Sequence, residues 1–151
     1  MTSISIRPAQ PDDLQRLHEM IQALAYFHGD LPRLTLQTLE QVLFTPTPAM
    51  FALVAEKNAK LVGYVVLYPL FQLHFDRRGL ELHHMFVDEN SRGQGVGRML
   101  IHASVVHAKS CECNYLSAGT HPDNIAAQDI YLANGFKAAS SAGPRFRLQL
   151  E

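Results

Sequence analysis

The sequence predicts a single α/β domain, built from strands and helices that alternate along the chain. In some stretches apolar residues recur at three- and four-residue steps, and in others they alternate with polar residues, with turn residues between the stretches. A glycine-rich turn joins one of the predicted strands to a predicted helix. Because 151 residues are of ordinary size for one domain and can bury a core, we expect residues 1–151 to form one unit.

The first strand and the first helix follow from the amino-terminal pattern. Apolar and polar residues alternate over residues 4–6 before Pro8, which indicates a short strand ended by proline. Asp12 or Asp13 can then cap a helix. Apolar side chains between Leu14 and Ala25 fall on one helical face, so this helix is expected to lie on a core.

A second helix and a hairpin come next. Thr35 to Phe44 predicts a shorter helix, which the prolines that follow it bring to an end. The apolar runs Phe51 to Glu56 and Lys60 to Tyr68, with Asn58 as the turn between them, predict a hairpin of two strands.

The second half of the chain continues the alternation. Leu80 to Val87 predicts a strand, and Gly95 to about Ser110 predicts an amphipathic helix. Tyr115 to Ala118 reads as a short strand, and a helix from Asn124 is closed by Gly135. The remaining predictions are a final hairpin of Phe136 to Ala139 with Phe146 to Leu150, and a turn over residues 140–147 between them.

Arg92 to Gly97 is the most informative stretch, because Gly93, Gly95 and Gly97 stand at alternate positions before a helix. Glycine allows a tight turn, and the first N–H groups of a helix have no partner within it, so the stretch predicts a pyrophosphate site. A dinucleotide loop has a different glycine spacing, and a mononucleotide loop has Lys and then Ser or Thr after its last glycine. Arg98 follows here instead.

Arg-x-x-Gly-x-Gly at Arg92 to Gly97 resembles the coenzyme A loop of the GNAT superfamily of N-acetyltransferases. A second motif follows in the family's order, with Asn124, two alanines, Tyr131 and then Asn134-Gly135-Phe136. The resemblance covers nearly the whole chain. It implies a mixed, mostly antiparallel sheet of about six to seven strands with helices on both faces, in the order β-α-α-β-β-β-α-β-α-β-β. It also implies direct transfer of an acetyl group from acetyl-CoA to an amine.

The resemblance also implies roles for individual residues. The strand before the loop leaves its neighbour in this family, so that main-chain groups of Met85, Phe86 and Val87 pair with the cofactor. Tyr131 corresponds to the tyrosine that protonates the leaving thiolate. Asn124 either binds the cofactor or only caps its helix. The expected cofactor-binding residues are Met85, Phe86, Val87, Arg92, Gly93, Gln94, Gly95, Val96, Gly97, Arg98, Asn124 and Tyr131.

The general base is left open between two residues. The chain is most similar to the diamine acetyltransferase branch, but His83 stands where that branch has a glutamate. A histidine can accept a proton near neutral pH, and Glu81 lies two residues earlier, on the same face of a regular strand. Glu81 can orient His83 or act through water, and the alternative is a histidine pair without a catalytic role. His83 and His84 would point to opposite faces, so we expect no metal site.

The acceptor is expected to bind between Tyr26 to Leu34 and Leu70 to Arg78. This mixed lining favours a small amine that bears a carboxylate, such as an amino acid, with Arg77 or Arg78 as its partner; a solvated loop is the alternative. A diamine is the branch's substrate class. A protein acceptor, or coenzyme A binding without catalysis, remains as a rival function. The expected acceptor-binding residues are Tyr26, Phe27, His28, Phe71, His74, Arg77 and Arg78.

Charge and composition bound the remaining functions. A formal charge of −1 offers no field for nucleic acid, and no apolar run is long enough to cross a membrane. Cys111 and Cys113 are too close together for an ordinary disulfide and too few for a zinc site. We therefore expect a cytoplasmic protein without nucleic-acid or membrane partners. By analogy with relatives, we expect a homodimer.

Overall fold

The computed structural model describes residues 3–139 and 143–151. In this part of the chain five strands and four helices follow one another. They are β1 (Ile4–Pro8), α1 (Leu14–Phe27), α2 (Leu36–Leu43), β2 (Phe51–Lys57), β3 (Lys60–Gln72), β4 (Arg77–Val87), α3 (Val96–Ser110), β5 (Tyr115–Ala118) and α4 (Ile125–Ala133).

The strands form one mixed sheet in the order β1-β2-β3-β4-β5. The first three pairings are antiparallel, whereas β5 runs parallel to β4. The mixed, mostly antiparallel sheet is as expected. Parallel neighbours need a crossover connection, and α3 provides it between β4 and β5.

The predicted number of strands is wrong for the described residues, which form five strands rather than six to seven. Phe136 to Ala139 and Phe146 to Leu150 belong to no strand there. A strand depends on a neighbour that accepts and donates its main-chain hydrogen bonds, and neither segment pairs with the sheet. Of the predicted turn between them, residues 140–142 lie outside the described residues.

The sheet carries a hydrophobic core on each face. On one face α1 and α2 bury Leu17, Met20 and Leu39 against β2, β3 and β4. On the other face Val96 and Leu100 of α3 pack on the sheet, and Ile130 and Tyr131 of α4 pack against this second core. The helices thus lie on both faces. Among the described residues, no helix is long and apolar enough to cross a membrane.

Asp13 does not have the capping role predicted for it. Its side chain makes no cap to α1; it accepts a hydrogen bond from the Gln10 N–H at 2.7 Å and pairs with the Arg7 guanidinium at 2.7 Å. A single 3-10 turn over Pro11–Asp13 precedes α1 and takes up these hydrogen bonds. Thr35 caps α2, because its side chain accepts a hydrogen bond from the Thr38 N–H.

The predicted strands that flank the β3–β4 connection are too short. β3 continues to Gln72 and β4 begins at Arg77, so the two strands form a long hairpin closed by a single 3-10 turn over Leu73–Phe75. Residues 70–78, predicted as an irregular segment, therefore lie mostly in paired strands.

Candidate active site

A β-bulge at His83 sets the geometry of β4. Val66 of β3 lies opposite His84, and the next residue Leu67 lies opposite Leu82, so that His83 is the extra residue. A bulge shifts the alternation of side chains between the two faces. The imidazole rings of His83 and His84 are consequently stacked, with centroids 4.5 Å apart and planes 12° apart. The prediction that they point to opposite faces is wrong, because it assumed a regular strand.

The end of β4 beyond the bulge is paired on one side only. β5 follows β4 from Gly79 to Leu82 and ends at Ala118, opposite Leu82. From His84 to Val87, β4 is paired with β3 alone. Main-chain groups along a strand point alternately to its two sides. Those of residues 83–87 that point away from β3 therefore face a cleft, as expected for Met85, Phe86 and Val87.

The glycine loop joins this end of β4 to α3. Gly93 and Gly95 have φ values of +75° and +82°, which side chains rarely adopt. Gly95 is the residue before α3, and no side chain caps the helix there. The N–H groups of Val96, Gly97 and Arg98 consequently have no partner within the helix. This arrangement fits a pyrophosphate, because amide donors and the positive end of the helix dipole converge on one point.

Arg92 fixes the loop to its surroundings. Its Nε donates a hydrogen bond to the Val87 carbonyl oxygen at 2.9 Å, and its guanidinium carbon lies 5.5 Å from the centroid of the Phe27 ring. The side chain of Gln94 turns away from this point, and its Oε1 accepts from the Lys57 Nζ at 2.8 Å. Arg92 therefore connects the loop to the end of α1, whereas Gln94 connects it to β2.

A cleft of about 560 Å³ joins these elements. Eleven of the twelve predicted cofactor-binding residues line it, and Gln94 does not. Asn124 is one of the eleven, but its Oδ1 accepts from the Ala127 N–H at 3.1 Å, so it caps α4 as well. The lining residues from this set are Met85, Phe86, Val87, Arg92, Gly93, Gly95, Val96, Gly97, Arg98, Asn124 and Tyr131.

Tyr131 reaches the cleft from α4, which packs beside α3. A Cβ at Gly97 would come within 2.9 Å of the Ile130 side chain, which shows how closely the two helices approach. Burial, and to a smaller extent the charge of Glu81, raise the pKa of Tyr131 above its ordinary value. The phenol is therefore held in its protonated form, which can give up a proton to a stronger base.

Glu81 and His83 lie on the sheet face that carries α1 and α2. The carboxylate of Glu81 accepts a hydrogen bond from the Ser117 hydroxyl across the β4–β5 pairing. Tyr68 stands opposite Glu81 on β3, and the His83 ring meets the Tyr68 ring edge-on at 5.4 Å. The two candidate bases thus share one face, as predicted, and the bulge brings His84 to that face as well.

His84 lines the cleft and was not among the predicted site residues. Burial, and to a smaller extent the neighbouring His83 and His28, lower its pKa from an ordinary 6.5 to about 4. His84 is therefore a neutral imidazole at neutral pH. No pattern in the sequence could have indicated this environment, because the bulge and the end of α1 create it together.

Further lining residues were also missed. Leu24 comes from α1, and Gly119, Thr120 and His121 follow β5. For the three residues after β5, the only indication in the sequence was their place in the chain, since this segment must pass the point where β4 and β5 separate.

The predicted acceptor-binding residues fall into two groups. Phe27 and His28 line the cleft, and Tyr26 is exposed beside them at the end of α1. The other four lie along the β3–β4 hairpin and do not line it. The Arg77 guanidinium lies over the Tyr115 ring at 5.7 Å, and the Arg78 N–H donates to the Asn114 Oδ1 at 2.9 Å. The structure does not bring Phe71, His74, Arg77 and Arg78 to the cleft.

The geometry of the loop, the one-sided strand and the cleft agrees with a sequence comparison. The model of the Acetyltransferase (GNAT) family matches residues 14–136. The chain belongs to the GNAT family. GNAT acetyltransferases use acetyl-CoA, and the matched range contains every predicted cofactor-binding residue.

Three proteins with similar sequences are named as N-acetyltransferases. The uncharacterized N-acetyltransferase YhfO of Bacillus subtilis is 31% identical over 85 residues, which are 56% of this chain and 57% of YhfO. Human N-acetyltransferase 8 is 30% identical over 84 residues, which are 56% of this chain and 37% of that protein. The chain thus spans little more than half of the length of YhfO and less than half of the length of N-acetyltransferase 8. Pig thialysine N-epsilon-acetyltransferase is 26% identical over 152 residues, covering 94% of this chain and 89% of that protein.

Solved structures show the same GNAT fold. A ribosomal-protein-alanine N-acetyltransferase from Brucella melitensis superposes with a TM-score of 0.80 at 21% identity, covering 97% of this chain and all of that one. An aminoglycoside acetyltransferase from an uncultured soil metagenomic sample has a TM-score of 0.80 at 19% identity, covering 98% of this chain and 97% of that one. Another aminoglycoside N-acetyltransferase was solved in complex with CoA, with a TM-score of 0.80 at 18% identity, covering 97% and 96%.

Proposed function

We propose that this chain is an N-acetyltransferase that moves an acetyl group from acetyl-CoA directly to a primary amine of a small molecule, such as an amino acid, a diamine or an analogue. The observation that carries the proposal is a single cleft. It is lined by the glycine loop at the start of α3, the one-sided end of β4 and the hydroxyl-bearing Tyr131.

The residues present fit acetyl-CoA. Unpaired N–H groups at Val96, Gly97 and Arg98 would hold the pyrophosphate, and the guanidinium of Arg92 adds positive charge beside them. Main-chain groups of residues 83–87 on the unpaired side of β4 would bind the extended arm of the cofactor. When bound, acetyl-CoA supplies a thioester whose carbonyl carbon takes the amine nitrogen while the carbon–sulfur bond breaks.

Tyr131 is the proposed general acid. Its hydroxyl lies in the cleft, and burial together with the charge of Glu81 keeps it protonated. A phenol in this state gives its proton to the departing sulfur and so avoids the release of a free thiolate. Because Tyr131 is already protonated, it has no free site for a further proton, so another group must accept the proton from the incoming ammonium.

Glu81 and His83 are the proposed bases, acting directly or through water. The carboxylate of Glu81 accepts a hydrogen bond from the Ser117 hydroxyl, while His83 is exposed and lies between the Tyr68 and His84 rings. His84 cannot serve easily, because its lowered pKa makes it a weak base. A carboxylate on the acceptor side also attracts an ammonium group, which supports an amine as the acceptor.

The acceptor is proposed to enter between the end of α1 and the face that carries Glu81. The names of two similar proteins favour an amine on a small molecule. One is named a thialysine N-epsilon-acetyltransferase, and the other is named an aminoglycoside acetyltransferase. A protein acceptor is the second candidate, and one neighbour is named a ribosomal-protein-alanine N-acetyltransferase. Exposed aromatic side chains at Tyr26 and Phe27 would suit a peptide at the rim of the cleft.

The test is thiol release from acetyl-CoA across a panel of amino acids, diamines, polyamines and aminoglycosides. We expect turnover on one class, with a lower kcat in Tyr131→Phe, and a lower kcat in either Glu81→Gln or His83→Ala. Cofactor binding without turnover on the panel, together with labelled proteins in a lysate given labelled acetyl-CoA, would establish the protein acceptor. Binding with neither result would leave a non-catalytic relative and contradict the proposal.

A further inference from the structure

A separate cavity, of about 340 Å³, lies at the carboxyl end of α3. Phe51, Leu67 and Pro69 belong to its apolar lining, and two cysteines and an arginine also line it. Among the described residues, none that lines this cavity also lines the cofactor cleft. α3 has 15 residues and a length of about 22 Å, and the glycine loop lies at its other end. The proposed acetyl transfer therefore makes no use of this cavity.

Cys111 lies beside a histidine at this cavity. Its Sγ is 3.6 Å from the Nε2 of His107, which is hydrogen-bond distance for a sulfur atom. The His107 ring stacks on the Phe51 ring, with centroids 3.9 Å apart and planes 4° apart, and this stacking holds it in position. Burial lowers the pKa of His107 below its ordinary value, so the imidazole is neutral and has one ring nitrogen free to accept a hydrogen. The thiol and the imidazole thus form a donor and acceptor pair.

The position of Cys111 at the end of α3 makes this acceptor important. Cys111 is the C-cap residue of the helix, and the negative end of a helix dipole disfavours a free thiolate. Attack by a cysteine sulfur nevertheless requires that the thiol lose its proton. A neighbouring imidazole can take that proton during the attack, so that no free thiolate has to accumulate.

Cys113 provides a comparison within the same cavity. Burial, and then the neighbouring Cys111, raise the pKa of its thiol, although the charge of Arg78 opposes this. A thiol with a raised pKa is seldom ionised and reacts slowly. Two cysteines separated by one residue do not form an ordinary disulfide with each other. We therefore expect Cys111 to be the reactive thiol, and its partner to be a sulfur from outside the chain.

Arg78 brings positive charge to the cavity. Its side chain is one of the lining groups, and its Nη1 donates a long hydrogen bond to the Cys111 carbonyl oxygen at 3.5 Å. A guanidinium pairs well with a carboxylate, while the apolar lining accommodates a carbon chain. A small disulfide that bears a carboxylate fits these surroundings.

We propose that Cys111 is a site of reversible modification by a small disulfide that bears a carboxylate, with His107 as the proton acceptor and Arg78 beside the carboxylate. The thiol proton passes to His107, a bond forms between the Cys111 Sγ and one sulfur of the small disulfide, and the sulfur–sulfur bond of that disulfide breaks. The departing sulfur takes the proton from His107 and leaves as a thiol. Cys111 is oxidised and the small disulfide is reduced, so no other oxidant is needed.

The first measurement is incubation of the full chain with glutathione disulfide, followed by mass spectrometry of the intact protein and its peptides. We expect one glutathione per chain, bound at Cys111 and removed by an excess of a small thiol. Cys113→Ser should be modified at the wild-type rate, whereas Cys111→Ser should stay unmodified. Modification at Cys113, a disulfide between the two cysteines, or no modification of the wild type would each overturn the proposal.

His107→Phe removes the proton acceptor and keeps an aromatic ring to stack on Phe51. The rate of modification at pH 7 should fall roughly tenfold or more. His102→Gln is the control, since His102 is an exposed histidine on the same helix, and it should keep the wild-type rate. Circular dichroism checks that each variant is folded.

The pH profile separates proton transfer from a structural role of His107. Without His107 only the thiolate reacts, so the rate should fall about tenfold for each pH unit below the thiol pKa; the wild-type rate should fall less steeply. Equal rates and equal slopes in the two proteins would overturn the proposal. The titratable and charged groups beside Cys111 in space or in the chain include His107, Lys109, Glu112, Cys113 and Arg78.

A neutral reagent, bis(2-hydroxyethyl) disulfide, tests the role of the carboxylate. Arg78→Gln should slow modification by glutathione disulfide about two- to fivefold, since an exposed charge contributes little. The same variant should react with the neutral disulfide at the wild-type rate. Equal slowing with both reagents, or no slowing with either, would overturn the role of Arg78.

Discussion

The two halves of β4 belong to one continuous strand but have different surroundings. From Gly79 to Leu82 the strand lies between β3 and β5, and both of its edges are paired. Leu80 and Leu82 are buried there, and the Tyr115 ring covers Gly79. From His83 to Val87 only β3 remains as a neighbour. In the first half the main-chain N–H and C=O groups bond to neighbouring strands on both sides. In the second half the groups that point away from β3 are available to a ligand.

The difference shows how the cleft arises. β4 itself continues as a strand, and the cleft opens because the neighbouring strand β5 ends earlier. β4 runs through to Val87, while β5 stops at Ala118. The bulge at His83 marks the point of change.

The largest expected effect is on catalysis, from Tyr131→Phe. Removal of the phenol hydroxyl takes away the proposed acid, and kcat should fall by roughly 10²-fold or more. Tyr115→Phe is the matched control, since Tyr115 lies against Gly79 at the doubly paired half, and its kcat should stay near the wild-type value. An equal fall in kcat in both variants would mean that the difference between the two halves of β4 does not matter for catalysis.

The next effect is on stability, from Gly79→Ala. The new Cβ would clash with the Tyr115 ring, so the ring must move, and the free energy of unfolding should fall by about 1–3 kcal/mol. Gly119→Ala is the comparison beyond the end of β5, where the Cβ would meet only the Glu81 Oε1 at 3.7 Å. Urea denaturation should show a clearly smaller loss for Gly119→Ala. A larger loss there would reverse the comparison.

His84, in the one-sided half of β4, makes the free energy of unfolding depend on pH. Its folded pKa of about 4 lies below the ordinary 6.5, so below pH 6.5 the unfolded chain binds a proton that the folded chain does not. Its contribution is complete above pH 6.5 and is lost as the pH falls towards 4. Allowing for the water that reaches the ring, the loss should be roughly 1–2 kcal/mol.

Chemical denaturation of His84→Gln between pH 7 and 4 measures this contribution. The variant should lose part of the wild-type slope of stability against pH. His102→Gln is the control, because His102 is an exposed histidine on α3, and it should keep the full slope. A slope unchanged in His84→Gln would show that the ring is not held neutral by its surroundings.

The smallest expected effect is on cofactor affinity, from Arg92→Ala. Loss of one charge proposed to bind the pyrophosphate should raise the KM for acetyl-CoA by about tenfold and change the acceptor KM by less. Arg77→Ala, at the other end of β4, should leave the KM for acetyl-CoA unchanged, because Arg77 lies over Tyr115 and outside the cleft. Steady-state kinetics with each substrate varied in turn separates the two constants.

Local patterns predicted much of this fold. β5 has the bounds that were expected, Tyr115–Ala118, and the hairpin turn falls at Asn58 and Ala59, where both φ values are positive. The glycine loop was recognisable because few other structures require glycine at alternate positions before a helix. In each case the signal lies in neighbouring residues, so no knowledge of distant contacts was needed.

Features that depend on partners could not be predicted in the same way. The bulge at His83 is a property of the register between β3 and β4, and the sequence of β4 alone is compatible with regular alternation. Arg77 and Arg78 were expected in a loop, but pairing with β3 extends the strand to include them. Phe146 to Leu150 has a strand pattern without a partner in the described part of its own chain.

The contact between Arg92 and Phe27 has a thermodynamic consequence. It joins the loop proposed to hold the pyrophosphate to the end of α1, where the acceptor is proposed to enter. An anion beside Arg92 competes with the ring for the same positive charge, so cofactor binding alters the forces on the end of α1. Linkage between two equilibria is reciprocal. To the extent that the cofactor changes acceptor affinity through this contact, the acceptor must change cofactor affinity by the same factor.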